Sequence, residues 1–236
     1  FHLDRLASLR LLLVAGEAMP PREAVAAARR FPRLAVVNGY GPTENNYTTT
    51  HRVRRGDAED RPVPIGRPLD NTTVYVVDEA MRLVPPGMVG ELCTGGAGLA
   101  IGYVGRKSRT DERFVTLRLP GGRRERVYRT GDLARHRADG VLEFFGRADA
   151  QVKVRGFRVE LEEVERTLAQ APGVAMAAVA VMGEGAARRL RAVLVPASTR
   201  ASRVSLLASA RAFVEERLPA YMVPSEFLAV QRIPLT

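Results

Sequence analysis

Two short apolar runs flanking one alanine-rich stretch constrain this chain more than any other feature. Residues 11–15 read Leu-Leu-Leu-Val-Ala and stop at Gly16, and residues 34–37 read Leu-Ala-Val-Val. Both have the length and the unbroken apolar character of buried strands. Between them, Pro20-Pro21 opens a helix that runs to about Arg30, with proline suited to the first turn. Strand, helix and strand in that order predict a parallel pair joined by a crossover, hence an α/β layer. Residues 3–9 read as a helix already under way, without an initiator methionine, so the start reads as a cut.

The pattern changes near Asp57. From 63 to about 146, short β runs such as 74–77 and 90–94 alternate with turn signals. Asp139-Gly140 lies between runs 133–137 and 141–145, as in a hairpin turn. A third pattern begins near Asp149. It has a strand at 152–154, then a helix over 160–170 with Leu161, Val164 and Leu168 on one face. Strands at 174–182 and 189–195, a helix over 201–218 and a strand at 227–231 follow. The expected class is α/β and α+β. Residues 1–148 would be the end of a large α/β core, with 1–56 an α/β layer and 57–148 a β-rich subdomain. Residues 149–236 would be a small C-terminal α+β domain, truncated at its end.

Composition removes several functions. The single cysteine, Cys93, allows no disulfide framework and no cysteine metal site within one chain, which fits a reducing cytoplasm. No apolar run approaches the ~20 residues of a spanning helix, and no signal-like leader opens the chain, so no membrane partner is expected. The net charge of +10 invites a nucleic-acid partner. However, only Lys107 and Lys153 are lysines, the arginines are scattered in short pairs, and tryptophan is absent. That bias reads as genome composition, and no nucleic-acid partner is expected.

Three stretches carry chemistry. Asn38-Gly39-Tyr40-Gly41-Pro42-Thr43-Glu44 follows a strand, where ligands bind at the carboxyl edge of α/β sheets. The glycines let backbone approach a ligand, Tyr40 offers a flat face, Thr43 a hydroxyl, and Glu44 a hard oxygen suited to Mg²⁺. An ordinary Gly-Pro turn would give a similar string. Tyr128-Arg129-Thr130-Gly131-Asp132-Leu133 places a carboxylate after a tight glycine, where two oxygens can accept two sugar hydroxyls; an aspartate-stabilised turn is the plainer reading. Residues 146–160, Gly-Arg-Ala-Asp-Ala-Gln-Val-Lys-Val-Arg-Gly-Phe-Arg-Val-Glu, surround a short strand with charge, as a guarded edge strand also would.

In this order and spacing the three stretches resemble the adenylate-forming superfamily, and most closely the adenylation domains of non-ribosomal peptide synthetases. Residues 14–18 (Val-Ala-Gly-Glu-Ala), the glycine-rich 90–103, 110–115 (Thr-Asp-Glu-Arg-Phe-Val) and 218–224 (Leu-Pro-Ala-Tyr-Met-Val-Pro) agree with further motifs of that family. The resemblance covers essentially the whole chain. It implies a cytoplasmic ligase of secondary metabolism, of the kind used in antibiotic biosynthesis. Such an enzyme activates an amino acid with ATP and Mg²⁺ as its acyl-adenylate. It then passes the acyl group to the phosphopantetheine thiol of a carrier-protein domain; a small MbtH-like helper protein is a further possible partner.

Residue by residue, the resemblance implies that Tyr40 stacks on adenine, with Asn38, Gly39 and Gly41 around it. Thr43 would contact the α-phosphate and Glu44 help hold Mg²⁺, these two being the catalytic candidates. Asp132 would bind the ribose hydroxyls with Arg147 assisting, and Phe144 stands where a tyrosine often packs the adenosine. Leu13, Ala15, Gly39, Tyr47 and Thr48 would line the acyl pocket. None of the five is acidic, which argues against a lysine- or arginine-like substrate. Asp149 would be the hinge of the small domain and Gly156 would line the thiol tunnel, while Lys153 and Arg155 read as solvated or carrier-facing charge. Ile101 replaces a frequent arginine and Lys107 a common proline. The family's phosphate loop and amino-group-binding aspartate would lie upstream of Phe1 and its catalytic lysine beyond Thr236, so the chain alone is expected to activate little. Two alternatives stand beside this reading: a stand-alone acyl-CoA or aryl-acid ligase of the same superfamily, and a non-catalytic module that docks a carrier or helper protein.

Overall fold

A computed structural model of the chain describes residues 8–148, 151–154, 156–183, 187–198 and 202–233, the side chains of 151, 153 and 158 apart. The chain divides into two compact units, Phe1–Asp149 and Ala150–Thr236.

The first unit opens with β1 (Leu11–Ala15), α1 (Pro21–Arg30) and β2 (Ala35–Tyr40), followed by β3 (Thr49–Arg52) and β4 (Arg67–Pro68). These strands form one sheet in the order β1-β2-β3-β4. β1 and β2 are parallel, with Leu13 opposite Val37 and Ala15 opposite Gly39, as the strand–helix–strand order predicts. Proline at the first helical position starts α1, which buries Ala24, Val25 and Ala28 against Met19, Leu34, Val36 and Val53. Two expectations change. β2 continues through Asn38, Gly39 and Tyr40, which sequence placed in a loop, because β3 pairs back on them with Tyr40 opposite Thr49. β1 is a strand but not a buried one: Leu11, Leu12 and Leu13 are exposed. It lies at the edge of the sheet, and among its residues Val14 packs on the α1 core.

The β-rich part is an antiparallel sheet of β5 (Thr72–Val77), β6 (Val89–Gly96), β7 (Phe114–Arg118), β8 (Arg124–His136) and β9 (Leu142–Arg147). Its order is β5-β6-β8-β7, with β9 also paired to β8. Gly140, at φ +78°, turns the β8–β9 hairpin, and Arg137 N–H donates to Val141 O across it. β8 runs for 13 residues, straight through the stretch that sequence read as a turn at Gly131. Gly131 takes φ +72°, and the ladders on β6 and β9 each slip in register beside it. The glycine is therefore a bulge within a strand, which re-aims the side chain that follows. Sequence also missed α2 (Lys107–Arg113), which buries no residue and so shows no apolar stripe.

In the second unit β10 (Gln151–Val154) and β11 (Phe157–Glu160) form an antiparallel pair. The sheet of β12 (Val174–Met182), β13 (Arg189–Pro196) and β14 (Glu226–Ala229) is antiparallel at its first pair and parallel at its second. The helices are α3 (Leu161–Ala169) and α4 (Arg203–Glu215), each slightly shorter than the apolar period suggested. Val164 and Leu168 of α3, Leu194 of β13 and Val214 of α4 meet in one core with no exposed surface. Together the mixed sheets match the expected α/β and α+β class. Among the described residues no helix is long and apolar enough to cross a membrane.

Candidate functional site

The loop after β2 is built by backbone demands. A Cβ on Gly41 would stand 1.5 Å from Asn46 O, so only glycine fits there. A single 3₁₀ turn, Thr43–Asn45, follows, and Asn46 takes φ +47°. Thr48 N–H then closes the loop on Tyr40 O at 2.8 Å. This leaves Thr43 exposed and Glu44 and Asn45 buried. Asn38, buried on β2, donates its amide to Pro64 O at 2.8 Å, which ties the next segment to the sheet.

Ninety-two residues downstream, the β8 bulge brings Asp132 against that strand. Tyr40 Oη donates to Asp132 Oδ2, while Arg147 Nη1 donates to Oδ1 at 2.7 Å. Arg147 also reaches Thr130 O at 3.0 Å, and the Asp132 N–H donates to Thr130 Oγ1 at 2.9 Å. Phe144, 37% exposed, stands with its ring centroid 6.2 Å from that of Tyr40. Burial, reinforced by the neighbouring carboxylate, pushes the Tyr40 phenol well above its ordinary range, so it stays a donor. Glu91 fixes the bulge from β6. Its Oε2 accepts from Arg129 at 2.6 Å and its Oε1 from the Gly131 N–H at 3.2 Å.

Tyr40, Asp132, Phe144 and Arg147, singled out separately by sequence, are thus one cluster. A second group forms below it. A Cβ on Gly39 would meet Tyr47 Cε1 at 2.9 Å and Leu13 Cδ1 at 3.1 Å, so Leu13, Gly39 and Tyr47 share one surface; Ala15 is opposite Gly39 on β1. Thr48 is fully buried and accepts from Thr94 Oγ1 at 3.4 Å. Glu44 Oε1 accepts from Tyr103 Oη at 2.5 Å. Gly156, at φ +81°, belongs to the second unit. The hinge candidate Asp149, Arg155 and the side chain of Lys153 lie outside the described residues.

Sequence missed the supports: Thr130, Glu91, Asn45 and Tyr103. Asn45 donates to Thr94 Oγ1 at 2.6 Å and Gly95 O at 3.0 Å, holding the 3₁₀ turn to β6. Tyr103 ends the glycine-rich motif, and the one available signal was its place in a stretch otherwise given only structural meaning.

The chemistry of the two carboxylates differs. Asp132, clamped by an arginine and a phenol, keeps lone pairs for further hydroxyl donors, since an ionised carboxylate has about four acceptor sites. No cluster of three His, Cys, Asp or Glu able to hold a metal occurs among the described residues. Mg²⁺ held together with phosphate oxygens needs only one or two protein carboxylates, and a buried, oriented Glu44 fits that donor set.

The AMP-binding enzyme family model matches residues 2–104, and the model of the AMP-binding enzyme C-terminal domain matches 163–236. The chain is 42% identical over 97% of its length to tyrocidine synthase 3 of Brevibacillus parabrevis, of which it covers 3%. It is 46% identical over 97% of its length to phosphinothricin tripeptide synthetase PhsB of Streptomyces viridochromogenes, covering 19% of that protein. Holo-PA1221, an NRPS protein with adenylation and PCP domains solved with a vinylsulfonamide inhibitor, superposes over the whole chain. The TM-score is 0.84 at 37% identity, and the chain spans 40% of that structure. With both family models matched in order and such relatives along its full length, the chain belongs to the AMP-binding enzymes, among the adenylation domains of non-ribosomal peptide synthetases.

Proposed function

We propose that the chain serves an enzyme that activates an amino acid with ATP and loads it on a carrier protein. The supporting observation is the clamp on Asp132, where Tyr40 and Arg147 hold both carboxylate oxygens beside the open ring of Phe144. In this reading Tyr40 and Phe144 flank adenine, with Asn38, Gly39 and Gly41 forming the wall. Asp132 accepts the ribose hydroxyls, and Arg147 keeps that carboxylate aimed. Thr43 donates to the α-phosphate from its exposed turn. Glu44 would hold Mg²⁺, which neutralises phosphate charge when bound. The acid's carboxylate oxygen bonds the α-phosphorus and pyrophosphate leaves. A carrier phosphopantetheine thiol then attacks the acyl carbonyl, and AMP leaves. Preorganised donors matter here because an anion attacks an anion, and donors already in place cost no reorganisation.

Leu13, Ala15, Gly39, Tyr47 and Thr48 would form the acyl pocket, Asp149 the hinge, and Gly156 part of the thiol path. Residues 1–148 would act as core and 149–236 as the mobile small domain, in a cytoplasmic enzyme to which a small MbtH-like protein could bind. The similarity to peptide synthetases and to an adenylation–PCP protein favours an amino acid and a carrier domain over a free CoA ligase or a docking module. Acid-dependent exchange of pyrophosphate into ATP, run on the intact protein with a panel of acids, tests this. Exchange with one or a few amino acids is expected. Exchange only with fatty or aryl acids, or none at all, would refute it.

A further inference from the structure

Tyr103 lies 59 residues from Glu44 in sequence, yet donates a 2.5 Å hydrogen bond to its carboxylate. The second phenol, Tyr128, has its oxygen 3.2 Å from that of Tyr103. A tyrosine hydroxyl carries one proton and can accept as well. Since Tyr103 gives its proton to Glu44, the pair is ordered, with Tyr128 donating to Tyr103. The same segment grips the glutamate a second time: Ala100 N–H donates to Glu44 O at 2.8 Å.

The Tyr103 ring has little freedom. Its backbone N–H donates to Thr110 Oγ1 at 2.9 Å, and a Cβ on the preceding Gly102 would meet Thr110 Cγ2 at 2.5 Å. Phe114 meets the ring edge-on, with centroids 5.6 Å apart, and the Arg109 guanidinium lies 5.7 Å over its face. Phe114 packs in turn on the fully buried Tyr128, at 5.1 Å. This arrangement is far more than a lone surface tyrosine needs. It resembles the outer hydrogen bonds that orient metal ligands elsewhere, whose loss commonly costs ten- to a hundredfold in metal affinity.

We propose that Tyr103 is the positioning residue of Glu44: through its hydroxyl, backed by Tyr128, it holds one carboxylate oxygen so that the group meets the metal of a metal–nucleotide complex in a fixed orientation. This rests on the reading of Glu44 as a metal ligand. It gives the glycine-rich stretch a role in the reaction, because Gly102 lets Tyr103 sit beside Thr110 and so reach across to the loop after β2.

The test uses the intact protein with Tyr103→Phe and Glu44→Gln in parallel. The first variant deletes one oxygen and keeps the ring packing. Binding of Mn²⁺ to the complex with a non-hydrolysable ATP analogue is read by electron paramagnetic resonance, and the Mg²⁺ dependence of pyrophosphate exchange alongside. Tyr103→Phe is expected to weaken Mn²⁺ binding about tenfold, which is about 1.4 kcal/mol. It should raise half-saturating Mg²⁺ to match and leave the KM for the acid and the affinity for metal-free analogue unchanged. Phe114→Leu, which keeps both hydroxyls but loosens the packing on the Tyr103 ring, should raise half-saturating Mg²⁺ by less than Tyr103→Phe does. If Glu44→Gln weakens metal binding and Tyr103→Phe does not, the positioning role is overturned and the ligand role of Glu44 stands. If neither variant weakens it, both fall.

Discussion

Among the described residues of the first unit, eight polar or charged ones are buried: Asn38, Glu44, Asn45, Thr48, Thr49, Thr94, Thr130 and Asp132. In the second unit every buried residue among those described is apolar, in a core that includes residues of β10, β11, α3, β12, β13 and α4. Its charges sit outside, as where Arg189 and Arg191 both donate to Glu226. A buried polar group is costly unless its partners are in place, so the first unit is committed to one arrangement of hydrogen bonds. The second is held by shape and by apolar area, which tolerate rearrangement better. The contrast sets a unit committed to fixed polar contacts beside one held by apolar packing.

The sharpest way to break that contrast is Asp132→Ala. It removes the charged partner of Arg147 from a buried pair, which costs about 3–5 kcal/mol. Chemical denaturation should show the loss in the first unit, and pyrophosphate exchange should fall by about ten- to a hundredfold through the lost hydroxyl contacts. Unchanged ATP dependence would remove Asp132 from the sugar site. Leu168→Ala in the second unit should cost about 2–5 kcal/mol by leaving a cavity in a core with no exposed surface. There the nucleotide analogue affinity of the first unit should not move; a parallel loss would mean that the two units do not divide the work as described. Gly156→Val places a branched side chain at φ +81°, with strain of about 1–3 kcal/mol. Exchange should survive and thioester formation slow. Equal loss in both half-reactions would count against the thiol path.

The smallest effect at neutral pH is an alkaline one. Burial pushes the Cys93 thiol up to about 12 and raises the Tyr40 phenol well above its ordinary range. Both folded values exceed the unfolded ones. Stability from these groups is therefore complete below the ordinary thiol and phenol ranges, and is lost as pH rises through the folded values. Unfolding monitored with a thiol reagent should show the first unit weakening from about pH 9 upward, as the unfolded thiol begins to ionise. The second unit buries no thiol or phenol among its described residues and should hold longer. Cys93 reacting rapidly in the folded state would contradict its burial.

The elements with strong periodicity were legible: β1 through β2, the β8–β9 hairpin, and, with β11 missed, the order of the remaining strands and helices in the second unit. What sequence could not show was decided by pairing and neighbours. Asn38, Gly39 and Tyr40 read as loop because their composition is that of a turn, yet β3 recruits them into a ladder. Leu11, Leu12 and Leu13 read as core because of hydrophobicity alone, and in this chain, which spans 40% of the holo-PA1221 structure, they are exposed. The α2 helix has no apolar face to detect. At the candidate site, sequence named the residues with conspicuous chemistry and not those that hold them. Glu91, Thr130 and Tyr103 act at sequence distances of about 40 to 60 residues, through bonds that only the folded sheet creates.

Strand β8 carries both Tyr128 and Asp132, four residues apart, one serving the loop that bears Glu44 and the other the clamp on Tyr40. Four residues of strand span about 13 Å. On the proposed reading the strand would work as a measuring rod between two ends of a bound nucleotide, with its one slip, at Gly131, built into the scale. Point changes along it alter only what is attached at each mark. A single residue added or removed between the marks would change the scale itself, so this segment should accept substitutions far more readily than changes in length.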